Sequence, residues 1–237
     1  METNQTFNSF FILAMYHIKQ ELYFPPVETA SAEGILAYGG DLSAARLLLA
    51  YKSGIFPWYE AGEPILWWSP NPRMVLFFEE LAVSKSMRNI INRNIFKVTF
   101  NQNFKEVISN CQRIKRDGQG GTWITNDMAD AYCKLNEMGA AKSVEVWQNN
   151  ELVGGLYGVD IGHIFCGESM FSKVSNASKV GFIALARKLQ NENYKLLDCQ
   201  VYNDHLKSLG CREIERETFI AFLDADLDSS NSLITEY

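Results

Sequence analysis

The spacing of apolar and polar positions predicts short strands and helices that alternate along most of the chain. Ser43, Ser84 and Thr125 each precede an apolar stripe with helical spacing, as helix N-caps do. Tight turns at 149–150 and 160–162 divide three consecutive strand patterns. The strands are predicted over 74–78, 96–100, 143–147, 152–159, 163–170, 195–199 and 212–215, and the helices over 43–54, 84–92, 104–114, 125–139, 177–189 and 204–209. The chain therefore mixes both kinds of element throughout.

The order of the later elements indicates a fold class. Three antiparallel strands, a helix, a strand, a short helix and a strand follow one another, which is the order of a GNAT-like acyltransferase core. We therefore predict an α+β fold with such a core. A cleft opens in this fold where the strands before and after the long helix separate, which singles out residues 167–170 and 198–200.

The first 75 residues have a different character, with proline- and glycine-rich turns around a single predicted helix. Two tryptophans lie against two prolines within residues 65–73, close to Trp58 and Tyr59. These rings either form a small satellite core or provide an aromatic wall on which a base could stack. The change in pattern predicts a small N-terminal domain over 1–75 and a GNAT-like domain over 76–237.

Composition limits the class of protein. With 47% hydrophobic and 21% charged residues, the chain is expected to fold around a sizeable core. Its five cysteines lack the close spacing of a zinc site, which favours a reducing cytoplasmic compartment. The apolar run over 10–16 is seven residues long and follows an acidic start, so we expect neither a signal peptide nor a membrane span.

Charge is unevenly distributed. The net charge is −6, yet residues 81–116 contain eight basic side chains and one acidic side chain. This segment carries +7 while the remainder carries −13. It is either a binding surface for phosphates or an ordinary solvated helix face, and charge alone leaves both interpretations open.

Three polar residues in apolar surroundings are candidates for chemistry. Asp198 and Gln200 end an apolar strand at alternating positions, where they could serve as a general base and its orienting partner. Alternatively, Asp198 caps the short helix that follows. Glu168 lies in an apolar strand, and a buried carboxylate needs a partner. That partner is expected to be a substrate amine, or Lys179 or Arg187 of the following helix.

Longer motifs in one register resemble the leucyl/phenylalanyl-tRNA–protein transferase family. They cover roughly residues 22–223 and lie at 39–43 (GGDLS), 54–59 (GIFPWY), 64–70 (PILWWSP), 122–125 (TWIT), 143–147 (SVEVW), 152–155 (LVGG), 167–172 (GESMFS), 176–179 (NASK) and 198–200 (DCQ). The resemblance implies an enzyme that moves Leu, Phe or Met from aminoacyl-tRNA to the N-terminal Arg or Lys of an acceptor protein, marking it for N-end rule degradation. It also implies a monomeric cytoplasmic protein that uses no metal or coenzyme and binds no membrane.

The same resemblance implies roles for particular residues. Asp198 and Gln200 would form a catalytic relay that activates the acceptor amine, with Glu168 beside the reacting groups. The terminal adenosine would be held by three aromatic residues, Tyr51, Trp58 and Trp123. The transferred side chain would occupy a pocket of four apolar residues, Leu156, Phe165, Met170 and Leu197. The tRNA acceptor stem would contact three basic residues, Lys85, Arg88 and Arg93. Asn89 and Asn92 stand where the family often has basic residues, which predicts weaker tRNA binding.

Two other functions could account for part of these features. A coenzyme A-dependent N-acetyltransferase could share the fold, but its pyrophosphate loop is glycine-rich, and residues 171–177 contain no glycine. A non-catalytic tRNA-binding module would not need Glu168, Asp198 and Gln200 together.

Overall fold

The computed structural model of the protein describes residues 15–114 and 123–231. Residues 10–14 of the apolar run, the basic residues at 115–116 and the motif residue Thr122 lie outside the described residues. The strands are β1 (Tyr16–Ile18), β2 (Ile35–Gly39), β3 (Phe56–Pro57), β4 (Leu66–Trp68), β5 (Arg73–Leu76), β6 (Lys97–Phe100), β7 (Ala141–Gln148), β8 (Glu151–Asp160), β9 (Ile164–Ser172), β10 (Leu196–Gln200) and β11 (Arg212–Ile214). The α-helices are α1 (Ala44–Lys52), α2 (Lys85–Asn92), α3 (Phe104–Arg113), α4 (Asn126–Glu137), α5 (Ala177–Asn191), α6 (Asp204–Lys207) and α7 (Arg216–Asn231).

The elements predicted over 74–215 are confirmed, with ends that differ by a few residues. Ser43, Ser84 and Thr125 are the N-caps of α1, α2 and α4, and each side chain accepts a backbone N–H from the first turn. The pattern did not predict β1 to β4 or α7. β1 to β4 are short strands of two to five residues, too short for period-two alternation to stand out.

Two sheets account for the described strands. The larger has the order β11-β5-β10-β9-β8-β7-β6, and the smaller has the order β1-β2-β4-β3. The expected α+β core is confirmed in its element order, since β7, β8 and β9 pair antiparallel and are followed by α5, β10, α6 and β11. β5 lies between β10 and β11 in the larger sheet and spans the predicted domain boundary near residue 75, which stays a prediction.

The larger sheet is covered on both faces. α5 packs on one face, and α3 and α4 pack on the other together with side chains of the N-terminal sheet. Neighbouring residues of a strand therefore enter different cores: Leu156 packs with the α5 side and Tyr157 with the α4 side. Gly154 allows α5 to begin close to the sheet, because a Cβ there would come within 2.6 Å of the Ala177 Cβ.

The sheet opens between β9 and β10. These parallel strands pair only over Ile164–Cys166 and Leu196–Asp198, and beyond those residues they separate. β10 also has an irregularity between Asp198 and Gln200 in its pairing with β5. The opening lies at the residues that the element order predicted for the cleft. No helix in the described part of the chain is long and apolar enough to cross a membrane.

Candidate active site

A cavity of about 580 Å³ occupies the opening between β9 and β10. Aromatic side chains from the N-terminal region and from the start of the α4 segment form part of its wall, including Phe56, Trp58 and Trp123. Apolar side chains from β8, β9, β10 and α5 form another part: Leu156, Met170, Leu197, Phe182 and Leu185. Glu168 and Gln200 contribute polar groups. The cavity therefore combines an apolar pocket, stacking surfaces and a carboxylate.

Glu168 is the titratable group at the centre of this arrangement. Its Oε2 accepts a hydrogen bond from the Tyr132 hydroxyl at 2.9 Å, and its Oε1 accepts one from the Gln200 side-chain amide at 2.7 Å. Burial raises the pKa of Glu168 to about 7, hydrogen bonds from Tyr51, Tyr132 and Gln200 oppose that rise, and the charge of Asp198 adds to it. Glu168 can therefore change protonation state near neutral pH.

The expectation that Glu168 pairs with Lys179 or Arg187 is wrong. Among the described residues, neither Lys179 nor Arg187 forms a salt bridge with it, and its donors are neutral hydroxyl and amide groups. Arg187 instead lines a small separate cavity beside α2. A nearby cation would offset the free-energy cost of desolvating the carboxylate, but neutral donors offset only part of it. The pKa of Glu168 is therefore raised.

Tyr132 is a site residue that the sequence pattern did not predict. It lies on the apolar stripe of α4, is fully buried, and donates to Glu168 through its hydroxyl. The Tyr51 hydroxyl lies 2.5 Å from the Tyr132 hydroxyl. Burial, followed by the charge of Glu168, raises the pKa of both tyrosines well above the ordinary value, so both remain protonated donors. The hydroxyl of a buried tyrosine usually has a polar partner. A tyrosine on the apolar stripe of α4 was therefore the one sequence signal for this contact.

Tyr51 has a different place from the one the resemblance implied. It is 1% exposed and does not line the cavity, so its position does not support direct contact with the adenosine. Trp58 and Trp123 do line the cavity. The Trp58 backbone carbonyl accepts a hydrogen bond from Trp68 Nε1 at 2.6 Å, while Trp67 is buried in the core. The aromatic residues of the N-terminal region therefore provide both a core and a cavity wall.

Asp198 is completely buried and paired with Arg73. Arg73 Nε lies 2.8 Å from Oδ1 of Asp198, and Arg73 Nη2 lies 2.7 Å from Oδ2. Oδ1 also accepts the backbone N–H of Gln200 at 2.9 Å. The alternative in which Asp198 caps the next helix is wrong, because the cap is Asn203, whose side chain accepts from His205 N and Leu206 N.

The apolar part of the cavity matches the implied pocket in three of its four residues. Leu156, Met170 and Leu197 line the cavity, but Phe165 is 2% exposed and packs inside the core on the α5 side. Phe182 and Leu185 of α5 line the cavity and had not been predicted. Strand alternation indicates the face on which a residue lies but not its distance from the opening between the strands.

The basic residues expected to contact tRNA lie on one helix or at its end, and none of them lines the cavity. Lys85, Arg88 and Arg93 are exposed on α2 and at its C-terminal end. Within the described residues, none of the three forms a salt bridge. Over residues 15–114 and 123–231, no carboxylate pairs with their charges.

Comparison with known proteins identifies the family. The model of the leucyl/phenylalanyl-tRNA protein transferase family matches residues 75–224, and the model of its N-terminal domain matches residues 40–71. The chain belongs to this family. A leucyl/phenylalanyl-tRNA–protein transferase of Flavobacterium johnsoniae is 71% identical over 209 residues, which cover 88% of this chain and 99% of that protein. One of Syntrophus aciditrophicus is 54% identical over 206 residues, covering 87% and 86%.

Membership of the leucyl/phenylalanyl-tRNA protein transferase family favours aminoacyl transfer over the coenzyme A-dependent alternative. Among solved structures, a GCN5-related N-acetyltransferase from Kribbella flavida is similar with a TM-score of 0.35 and 8% identity, over 69% of this chain and 58% of that one. That likeness is too distant to support a functional argument. The family assignment therefore rests on sequence.

Proposed function

We propose that the protein transfers Leu, Phe or Met from aminoacyl-tRNA to the α-amine of an acceptor protein that begins with Arg or Lys. The observation that carries this proposal is the position of Glu168, a carboxylate with a pKa of about 7, in a cavity that also has an apolar pocket and two tryptophans. The names of the similar proteins support the same reaction. The proposal includes a monomeric enzyme that acts in the cytoplasm and marks its acceptors for degradation.

The reaction requires alignment and one proton transfer. The acceptor nitrogen attacks the ester carbonyl of the aminoacyl-tRNA, an N–C bond forms, and the C–O bond to the terminal ribose breaks. Because the ester is already activated, holding the two groups in the attacking geometry can supply ~7–11 kcal/mol of barrier lowering. The attacking amine must lose a proton, which passes through the base to the departing ribose oxygen.

Glu168 is the group best suited to accept that proton. An α-amine has a pKa of ~8, and a base with a pKa near the working pH combines a useful ionised fraction with sufficient basicity. Gln200 orients the carboxylate through the 2.7 Å hydrogen bond to Oε1, and Tyr132 orients it through Oε2. Asp198, whose oxygens are occupied by Arg73 and the Gln200 backbone, acts through Gln200 and not on the substrate.

The donor is held by the walls of the cavity. Its terminal adenine stacks on Trp58 or Trp123, a contact worth ~1–3 kcal/mol per base. Its amino-acid side chain enters the pocket formed by Leu156, Met170 and Leu197. Because the side chains of Leu156, Met170 and Leu197 offer no strong hydrogen-bonding groups, this part of the cavity favours Leu, Phe and Met over polar side chains. Lys85, Arg88 and Arg93 contact phosphates of the acceptor stem.

The test is transfer between defined substrates. The protein is incubated with Leu-tRNA and a peptide beginning with Arg, and the peptide is weighed by mass spectrometry. We expect a mass increase of one leucine residue, and no increase on a matched peptide beginning with Asp. Acetyl-coenzyme A in place of Leu-tRNA is expected to give no product. Acetylation in that reaction, with no leucylation in the first, would overturn the proposal.

A further inference from the structure

Arg73 is a buried cation that links three parts of the chain. It is 1% exposed, lies on β5, and makes paired hydrogen bonds to both oxygens of Asp198. Its Nη1 donates to the Gly54 carbonyl at 3.1 Å. The guanidinium carbon lies 4.8 Å from the Phe56 ring centroid and 4.6 Å from that of Phe219. One side chain thus connects β10 with the N-terminal region and with α7.

The carboxylate held by Arg73 in turn supports an unusual backbone conformation. Gln200 has a φ of 67°, in the left-handed region that residues other than glycine seldom occupy. Asp198 Oδ1 accepts the Gln200 N–H at 2.9 Å, so the Asp198 side chain closes the turn over two residues. This turn directs the Gln200 side chain, whose amide nitrogen reaches Oε1 of Glu168.

We propose that Arg73 is a positioning residue for aminoacyl transfer. Its guanidinium fixes the Asp198 carboxylate, which holds the left-handed turn at Gln200 and so places the Gln200 amide against Glu168 in the cavity. The same guanidinium binds Gly54, four residues before Trp58, and so ties the aromatic wall to the strand that carries Gln200. The inference rests on the proposed function, because transfer is the activity that measures it.

The geometry requires arginine specifically. A guanidinium offers a planar set of donors that can engage two carboxylate oxygens and a carbonyl while its faces contact aromatic rings. A lysine ammonium would keep the charge but could not hold both oxygens in that plane. A role limited to stability is a weak explanation, since buried ion pairs contribute little net stability compared with apolar replacements.

The first test is Arg73→Lys, with kcat and KM measured for Leu-tRNA and a peptide beginning with Arg. We expect kcat to fall at least about tenfold, because small misplacements of reacting groups are costly, and KM for Leu-tRNA to stay within about threefold. Arg212→Lys is the matched control, because Arg212 also binds a carboxylate (Glu80, 2.9 Å) and stacks on a ring (Phe77, 4.6 Å), but its carboxylate partner is not Asp198. Its kcat should be unchanged.

The second test compares Asp198→Asn with Asp198→Ala and decides the matter even if Arg73→Lys does not fold. Asparagine keeps an oxygen for the Gln200 N–H, whereas alanine leaves the turn unsupported. Positioning predicts a kcat at least about tenfold higher for Asn than for Ala. The fall in rate as the pH drops through the pKa of Glu168, which is the acid limb of the pH profile, should be retained in both variants. Equal loss in both variants, together with loss of that limb, would make Asp198 the proton acceptor and overturn the role of Arg73.

The outcomes separate this inference from the function beneath it. If the wild-type enzyme transfers leucine and Arg73→Lys matches its kcat, the positioning role is refuted and the proposed function stands. If the wild-type enzyme transfers nothing, both are refuted. Thermal unfolding of each variant identifies a loss of activity that reflects a loss of fold.

Discussion

Replacing Tyr132 with Phe tests whether Glu168 is the proton acceptor. The Tyr132 hydroxyl donates to Glu168 at 2.9 Å and stabilises the ionised carboxylate, so its removal should raise the pKa of Glu168 above its value of about 7. A hydrogen bond to a charged group contributes ~1.5–3 kcal/mol, and 1.36 kcal/mol corresponds to one pKa unit. Tyr51 lies near enough to take over part of the contact. We therefore expect the pKa of Glu168 to rise by about one unit.

The sign of the effect on activity follows from the chemistry. A protonated carboxyl cannot accept the proton of the amine, so transfer declines as the pH falls through the pKa of Glu168. In Tyr132→Phe this decline should begin about one pH unit higher. The acceptor amine attacks only when it is neutral, so it adds a separate decline below pH ~8 that stays in place. At pH 7 the variant should be several-fold slower, and above pH ~9 it should approach the wild-type rate.

The assay is the pH dependence of kcat/KM for Leu-tRNA and a peptide beginning with Arg. Tyr194→Phe is the matched control, because the Tyr194 hydroxyl also donates to a carboxylate at 2.9 Å, but that carboxylate, Asp160, does not line the cavity. Its profile should coincide with that of the wild type. The assignment of the base is refuted if the decline that reports Glu168, near pH 7 in the wild type, stays in place or moves to lower pH in Tyr132→Phe, or if it persists in Glu168→Gln. The decline due to the acceptor amine is expected in every variant.

The remaining predictions concern stability, tRNA binding and selectivity. Because the folded pKa of Glu168 is raised from 4.5 to about 7, its contribution to stability is full below pH ~4.5 and lost as the pH rises through 7. Glu168→Gln should therefore be more stable than wild type by about 2–3 kcal/mol in denaturant at pH 8 and similar at pH 4.5, and equal stability at pH 8 would contradict the raised pKa. Replacing Lys85, Arg88 and Arg93 with Ala should reduce the slope of log affinity for tRNA against log salt by ~2–3 and spare transfer from a short aminoacyl-adenosine; an unchanged slope would make these residues ordinary surface. Leu156→Phe should reduce Phe transfer more than Leu transfer, whereas Phe165→Leu, which lies outside the cavity, should leave the ratio unchanged.

Sequence patterns predicted the elements of the larger sheet because the signals for those elements are local. Helix caps such as Ser84 and Thr125 act within one turn, and strand alternation repeats every two residues, so both are visible in short windows. The cleft could be placed for the same reason, since it follows from the order of the elements. The apolar pocket was placed less well, because the choice between Phe165 and Phe182 depends on how far β9 and β10 separate.

The partners of the two carboxylates could not be predicted from local patterns. Arg73 and Asp198 are 125 residues apart in sequence, and Arg73 follows the proline-rich turn as an unremarkable first residue of a strand. Tyr132 resembles any apolar member of a helical stripe. In both cases a polar atom of a long-range neighbour determines the chemistry, and residue spacing contains no information about that contact.

The two carboxylates differ in the charge of their partners, and this gives them different properties. Asp198 is compensated by a guanidinium, whereas the donors to Glu168 are neutral. Burial raises the pKa of Glu168 to about 7, and hydrogen bonds from Tyr51, Tyr132 and Gln200 oppose that rise. Asp198 has both oxygens held by Arg73 and one also bound to the Gln200 backbone, and it does not line the cavity. A carboxylate with neutral donors is thus suited to exchange a proton, whereas one held by a guanidinium is suited to orient its neighbour.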